Sequence, residues 1–292
     1  MRAALREGPR TVLVTGTSSG IGLAVAQDLA ARGYEVIAGV RNEDDAQRLK
    51  SLGPDGRIVP VMIEVTDDAS VDDAMSFVRA HIAGGPGLRA VVNNAGIVGG
   101  GPVELLPLGH WRERFEVNLL GQVRVTKAAL PLLRETAGTL VFLGSISGRV
   151  STPFLAPYSA TKFGIEAVAE ALRHELRPWR IPVVVVEPGA VKTRIWDKGR
   201  ALVPQLVADL ADPGATALYG TAVEEMVGTI DAQERAAIAP QRVAAVVARA
   251  VGASRPRARY LVGLDAKLAG GVVTRFAPDC VRDLIVRKFV GP

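Results

Sequence analysis

Short apolar runs alternate along this chain with longer stretches in which apolar residues return every three or four positions. Thr11 to Val14 is the first run, β-branched and uncharged, and reads as a buried strand. Ile21, Val25, Leu29 and Ala30 then share one face of a helix that Gly33 closes. The strand pattern recurs at Glu35–Val40, Arg57–Ile63, Arg89–Val92, Thr139–Leu143 and Ile181–Val186. The helical pattern recurs at Asp44–Leu52, Asp68–Ile82, within Pro107–Thr136, and from Pro157 to Leu176. Gly53-Pro54, Gly84-Gly85-Pro86-Gly87 and Pro178 punctuate these segments. Six short apolar strands alternating with helices imply an α/β fold with a doubly wound parallel sheet, helices covering both faces.

After Gly189 the alternation stops. Residues 190–233 mix Trp196, Leu202, Leu206, Leu210, Leu218, Tyr219 and Met226 with prolines and glycines, the composition of a partly helical lid or of an ordinary surface connection. Pro240–Val251 is again helical, Arg259–Val262 is a candidate last strand, and Leu264–Val290 is a basic, apolar tail. In that tail Asp279 suits an N-cap, and Val281, Leu284, Ile285 and Phe289 then fall on one helical face. Such a face either packs on the domain or lies in a membrane interface.

The chain has 292 residues, of which 48% are hydrophobic and 22% charged, enough for one domain with a sizeable core. No apolar run reaches the ~18 residues of a membrane span, and Met1–Arg10 lacks the apolar region of a secretory signal. One cysteine, Cys280, excludes an internal disulfide framework and a cysteine zinc site, and His81, His110 and His174 are scattered, so no metal is expected. The reading is a cytoplasmic protein. Formal charge is +5, and residues 240–292 carry ten basic against three acidic side chains, leaving the remainder net negative. No aromatic-interleaved basic stripe accompanies this, so nucleic acid is not an expected partner. Weak peripheral contact with an anionic membrane is compatible with it.

Two stretches carry chemistry. The first strand runs into Thr15-Gly16-Thr17-Ser18-Ser19-Gly20-Ile21-Gly22 and then a helix. Glycines there permit a tight turn and close approach of backbone to a pyrophosphate, which meets the N–H groups and positive end of the helix. The second strand ends in Val40 and is followed by Arg41. A carboxylate at that end would bond a ribose 2′-hydroxyl; an arginine binds a 2′-phosphate, so NADP(H) is expected over NAD(H), unless Arg41 is simply a solvated surface residue. The second stretch is Gly144 to Lys162. Tyr158 and Lys162 are four apart on one helical face, and an ammonium beside a phenol favours the phenolate and lowers its pKa. Ser145, at the end of the preceding strand, can bond the same substrate oxygen. Asn93-Asn94-Ala95-Gly96 follows the fourth strand, either lying close to an adenosine or tying neighbouring strands through its amides. Asn118 is unfavourable in mid-helix among apolar neighbours unless its amide is used, either as a satisfied core group or to hold a water near the lysine.

Taken together, Thr15-Gly16-x-x-x-Gly20-Ile21-Gly22, Asn93-Asn94-Ala95-Gly96, Asn118, Ser145, Tyr158-x-x-x-Lys162 and Pro188-Gly189-x-x-x-Thr193 resemble the short-chain dehydrogenase/reductase family, in order and in spacing. The likeness covers roughly Thr11 to Thr193 and implies a Rossmann-like fold with Asn118, Ser145, Tyr158 and Lys162 as a catalytic tetrad. Tyr158 would be the acid/base, Ser145 would steady the oxygen, Lys162 would lower the tyrosine pKa and hold the nicotinamide ribose, and Asn118 would position a water. The cofactor-binding set so implied is Gly16, Ser18, Ser19, Gly20, Ile21, Gly22, Arg41, Glu64, Val65, Asn94, Ala95, Gly96, Tyr158, Lys162, Pro188, Gly189, Val191 and Thr193. Glu64 stands where many members have an aspartate, and Val40 replaces an acidic ribose ligand. Glu187-Pro188-Gly189, Arg259-Tyr260 and Asp265-Ala266-Lys267-Leu268 are similar, more loosely, to the retinol- and hydroxysteroid-dehydrogenase branch.

The resulting expectation is one dinucleotide-binding catalytic domain over residues 11–292 after a flexible 1–10, with 190–233 as lid and 240–292 as C-terminal extension. It would exchange a hydride between NADP(H), with NAD(H) also admissible, and a lipophilic secondary or allylic alcohol or its carbonyl. The expected assembly is a homodimer or homotetramer. The alternative is a dinucleotide-sensing regulator that keeps the fold without the chemistry; an epimerase or dehydratase would want a different glycine spacing.

Overall fold

The computed structural model describes residues 10–52, 56–193, 196, 213–274 and 277–290. Its strands are β1 (Thr11–Val14), β2 (Glu35–Val40), β3 (Ile58–Met62), β4 (Leu88–Asn93), β5 (Thr139–Leu143), β6 (Val183–Pro188) and β7 (Arg259–Val262). They form one seven-stranded sheet in the order β3-β2-β1-β4-β5-β6-β7, and every pairing is parallel. The candidate last strand is therefore a strand, adding to β6 with Val186 opposite Tyr260. Chain direction across the sheet reverses between β1 and β4, which opens a crevice at their carboxyl ends.

The period-two alternation of each strand sorts its side chains onto two cores. Val12, Val14, Val36, Ala38, Ala90, Val92, Val184 and Val186 face one layer, built on α1 (Gly20–Ala31) and α8 (Pro240–Gly252). Leu13, Ile37, Val91, Leu140, Phe142, Val183 and Val185 face the other, under α3 (Asp68–His81), α5 (Gly121–Thr136) and α6 (Ala156–Glu175). Both faces are covered, which is why the strands contain almost no charge. The single buried exception among them is Glu187.

The short α2 (Glu43–Lys50) follows β2 and is capped by Asn42, whose side chain accepts from the Asp45 N–H. The long helix expected within Pro107–Thr136 is interrupted. It comprises α4 (Leu108–Phe115), a π segment (Glu116–Leu120) and α5, all helical in backbone angles, with the Gly121 N–H reaching back five residues to the Glu116 carbonyl. Asn118 sits at the middle of that surplus turn, and such turns recur at functional sites.

Beyond β6, the strand direction persists as a bridge between Val191 and Ile238. Among the described side chains of α7 (Pro213–Ala236), Ala215, Val223 and Tyr219 form a small cluster with Leu105. Leu202, Leu206 and Leu210 of the expected lid lie outside the described residues, as does the expected flexible segment apart from Arg10. A second π segment (Ala266–Val273) follows β7, and α9 (Asp279–Val290) ends the described chain. Asp279 is inside the first turn of α9 rather than its cap, since the Val281 and Arg282 N–H groups bond the Pro278 carbonyl. Packing of the α9 apolar face does not extend to Val281 and Leu284, which are exposed. No helix among the described residues is long and apolar enough to cross a membrane.

Candidate active site

The glycine loop joins β1 to α1 at the crevice. Gly16 has φ +68°, a left-handed conformation that a side chain would strain. A Cβ on Gly22 would stand 2.2 Å from the Gly16 carbonyl oxygen, so backbone touches backbone and leaves an open cradle above. Ser19 is the N-cap of α1 and makes no side-chain cap bond, leaving first-turn N–H groups of the helix for an anion. This donor set fits a dinucleotide pyrophosphate.

β4 is tied to this loop by its own terminus. The Asn94 amide donates to the carbonyls of Thr15 and Gly16, both at 2.9 Å, while the Thr15 hydroxyl accepts from the N–H groups of Asn94 and Ala95. The strand-tying role is thus realised by Asn94, and Asn93 donates to Thr126 Oγ1 at 3.0 Å. Gly96 lies against the Asn118 side chain. Thr193 packs on Gly20, whose added Cβ would be 3.1 Å from the threonine Cβ and Cγ2. Pro188 ends β6, and the Gly189 N–H bonds the Val262 carbonyl at 3.0 Å. Val65 is buried in the core, its carbonyl taking the Arg124 Nη1 at 2.7 Å. Glu64 accepts from the backbone N–H and hydroxyl of Thr66.

Arg41 stands exposed beyond β2, its Nη1 3.7 Å from Glu64 Oε2. A second arginine, not singled out from sequence, shares this rim. Arg48, on α2, donates to the Ser18 carbonyl at 2.5 Å and to Asp45 at 2.6 Å. It lines a cavity of about 500 Å³ with Ser18, Ser19, Gly20, Lys192 and Thr193. Its position in sequence, seven past Arg41, carries no signal; only the turn of α2 toward the loop brings it there.

The second half of the site comes from β5 and α6. Ser145 opens a 3-10 turn (Ile146–Gly148), its Oγ accepting from the Ser147 N–H at 3.1 Å. The hydroxyl hydrogen remains free to donate, and the side chain is near enough to Tyr158 to favour its ionised form. Pro157 lies in the first turn of α6, placing Tyr158 and Lys162 on the face turned to β5. Lys162 is buried; its Nζ donates to the Leu143 carbonyl at 2.8 Å and stands 5.6 Å from the Tyr158 ring centroid. Burial lowers its pKa from 10.5 to about 8. Burial also pushes the Tyr158 phenol above its ordinary value, with Ser145 pulling it partly back. The expected lowering by Lys162 is not seen: loss of hydration dominates the phenol, and the lysine's hydrogen bond goes to the backbone.

Asn118 is wholly buried and satisfied: Oδ1 accepts from the Ile97 N–H at 2.7 Å, and Nδ2 donates to the Ile97 carbonyl at 2.9 Å and to Thr161 Oγ1 at 3.3 Å. Of the two roles open to it, the structural amide is present. Beside the Ser145–Tyr158 stretch, Val103, Ser151, Thr152, Pro153, Phe154, Ala156 and Asp283 line a hollow of about 420 Å³. The contribution of Asp283, from α9, was not foreseeable from its polar neighbours in sequence.

Ser145, Tyr158 and Lys162 past β5, and the glycine loop past β1, thus lie on the same carboxyl side of the parallel sheet. A family model described as short chain dehydrogenase matches residues 10–202. Among curated proteins, the chain is 32% identical over 284 residues to an NADPH-dependent 3-dehydrocapnine reductase of Ornithobacterium rhinotracheale, covering 96% of each. It is 34% identical over 263 residues to retinol dehydrogenase 16 of Mus musculus, covering 88% of this chain and 81% of that one. Among solved structures, a short-chain dehydrogenase from Streptomyces avermitilis superposes with TM-score 0.75 at 30% identity, covering 97% of this chain and 96% of that one.

Proposed function

Because the chain belongs to the short-chain dehydrogenase family, and so to the NAD(P)(H)-dependent oxidoreductases, we propose that it is an NADP(H)-dependent enzyme interconverting a lipophilic carbonyl and its secondary or allylic alcohol, of retinoid, steroid or fatty type. The observation that carries this reading is the gathering of Ser145, Tyr158 and Lys162 past the end of β5, on the same carboxyl side of the parallel sheet as the Gly16–Gly22 loop past β1. When bound there, dihydronicotinamide supplies the hydride for the carbonyl carbon. Tyr158 gives its phenolic proton to the carbonyl oxygen, and Ser145 donates a hydrogen bond to the same oxygen. Burial keeps the phenol protonated at neutral pH, as carbonyl reduction requires. Lys162, with pKa about 8, is still mostly cationic at pH 7 and stabilises the phenolate left behind. Asn118 holds the π segment to Ile97 through an amide engaged at both its oxygen and its nitrogen.

Arg41 supports the choice of NADP(H). Its guanidinium is 64% exposed and only loosely paired with Glu64, so it is available to a 2′-phosphate. A hydrogen bond to a charged group contributes about 1.5–3 kcal/mol. Arg41→Ala is therefore expected to weaken NADPH about 10- to 100-fold while leaving NADH almost unchanged. Isothermal titration with both cofactors checks this, and equal losses would refute it. The Ornithobacterium relative is named as NADPH-dependent, which points the same way.

For the substrate, support comes from the apolar residues of the 190–233 segment, read as a lid. Among the described side chains, α7 buries only Ala215 and Val223, and one relative of similar length is named for retinol. The decisive experiment is turnover with NADPH over a matched series of short and long ketones. The rate constant kcat/KM is expected to climb with apolar length. A flat series would remove the lipophilic assignment. Binding of NADPH with no turnover of any carbonyl would favour the dinucleotide-sensing alternative.

A further inference from the structure

Glu187 is the next-to-last residue of β6, a strand made otherwise of four valines and a proline, and its side chain is wholly buried. A carboxylate in such a place costs several kcal/mol unless it is paired and hydrogen-bonded. The partner is Arg149, which forks it: Nε donates to Oε1, and Nη2 donates to Oε2 at 2.9 Å. The remaining Arg149 nitrogen donates to the Gly270 carbonyl at 3.2 Å, fastening the second π segment to the same point. On the far side stands Glu166, one turn of α6 beyond Lys162. Its Oε2 accepts from Arg259 Nε at 2.7 Å, and its Oε1 is buried without a hydrogen-bond partner. Burial pushes the Glu187 carboxyl up, Arg149 pulls it down, and Glu166 adds to the upward push. A Cβ on Gly144 would lie 3.5 Å from both Glu166 Oε1 and Glu187 Cγ, so the chain just before Ser145 rests against both acids.

The fork matters because of where Arg149 lies in the backbone. Ser145 opens the 3-10 turn and Arg149 closes it: the Gly148 N–H bonds the Ser145 carbonyl and the Arg149 N–H bonds the Ile146 carbonyl, both at 2.9 Å. Fixing the Arg149 end fixes the whole turn, and with it the direction of the Ser145 hydroxyl. We infer that Arg149 and Glu187 are positioning residues that set Ser145 against Tyr158, a role resting on the reading of that pair as the proton-transfer site. Neither residue lines the hollow beside Ser145 and Tyr158 or the cavity at the glycine loop. A buried ion pair alone is weak evidence of stabilisation, and apolar replacement of such pairs is often neutral or better. The retention of a charged fork at this place is explained by the orientation it imposes.

That same fact supplies the test. Arg149→Ala leaves Glu187 buried and unpaired and can fail to fold, so the informative protein is the double variant Arg149→Met with Glu187→Leu. It is expected to melt no lower than the parent and to bind NADPH within a few-fold. Its kcat is expected to fall about 10- to 100-fold, the cost of a misplaced catalytic group. In a Ser145→Ala background the same double change should cause no further loss, because the fork acts through Ser145. Hydrogen exchange without cofactor should quicken in residues 144–150 and nowhere else on the sheet. Full kcat in the folded double variant, or an equal further loss without Ser145, would overturn the inference. Should the parent reduce no carbonyl at all, the functional reading fails separately, and exchange in 144–150 still decides whether the fork holds the turn.

Discussion

Tyr158→Phe is expected to lower kcat by about a thousandfold or more, within the range general acid catalysis contributes, while NADPH binds within about twofold of the parent. The phenol is the group placed to move the oxygen's proton. It lies close to Ser145 and sits one helical turn from Lys162, and burial keeps it protonated. Removing one oxygen atom leaves the ring, its packing and the glycine cradle in place. Steady-state kinetics beside cofactor fluorescence separates the two effects. Residual kcat above roughly a tenth of the parent would mean that another group handles the proton.

Lys162→Met should also abolish most turnover, by about a hundredfold or more, and it should leave a second mark that is independent of catalysis. The folded-state pKa of about 8 is below the ordinary 10.5. Between those values the unfolded chain binds more protons than the folded one, so stability contributed by this group rises as pH climbs from about 8 to 10.5. Below pH 8 the penalty of holding a buried ammonium is constant, on the order of 3 kcal/mol. Methionine removes that penalty but orphans the Leu143 carbonyl, which offsets part of the gain. Melting the protein without cofactor across pH 7 to 10.5 reads the difference. The parent should gain on the variant as pH rises. Parallel curves would show that Lys162 does not titrate in this window.

The fold was legible because each strand is a short β-branched run closed by glycine, proline or a helix start, and because alternation of faces leaves few other arrangements. Gly16, Asn94, Ser145 and Gly189 could be placed together for a topological reason: all follow strand ends of one parallel sheet. What could not be read depends on distance in sequence and on burial. Arg149 and Glu187 are 38 residues apart, and Asp265, which accepts from the Ala190 N–H at 2.8 Å, is 75 away from it. Neither pairing leaves a local pattern. An acid directly after Val183–Val186, still within the strand, was the one available hint, since a charge in a strand covered on both faces demands a partner. The Tyr158–Lys162 spacing correctly places the pair on one face. It cannot tell how much water surrounds them, and water decides the direction of both shifts.

The π segment at Glu116–Leu120 makes chain length itself a functional quantity. A π turn is an α-helix carrying one surplus residue, with poorer hydrogen-bond geometry than the regular form. Deleting a residue there would restore an unbroken helix from Leu108 to Thr136. It would also swing everything before the cut by about 100° relative to α5, and the Asn118 amide would lose Ile97 and Thr161 together. The tidier helix would be the useless one. Libraries that shorten or lengthen this protein to improve robustness should therefore find gains at loop tips and a sharp loss at these five positions, where one residue of apparent slack keeps the two halves of the crevice in phase.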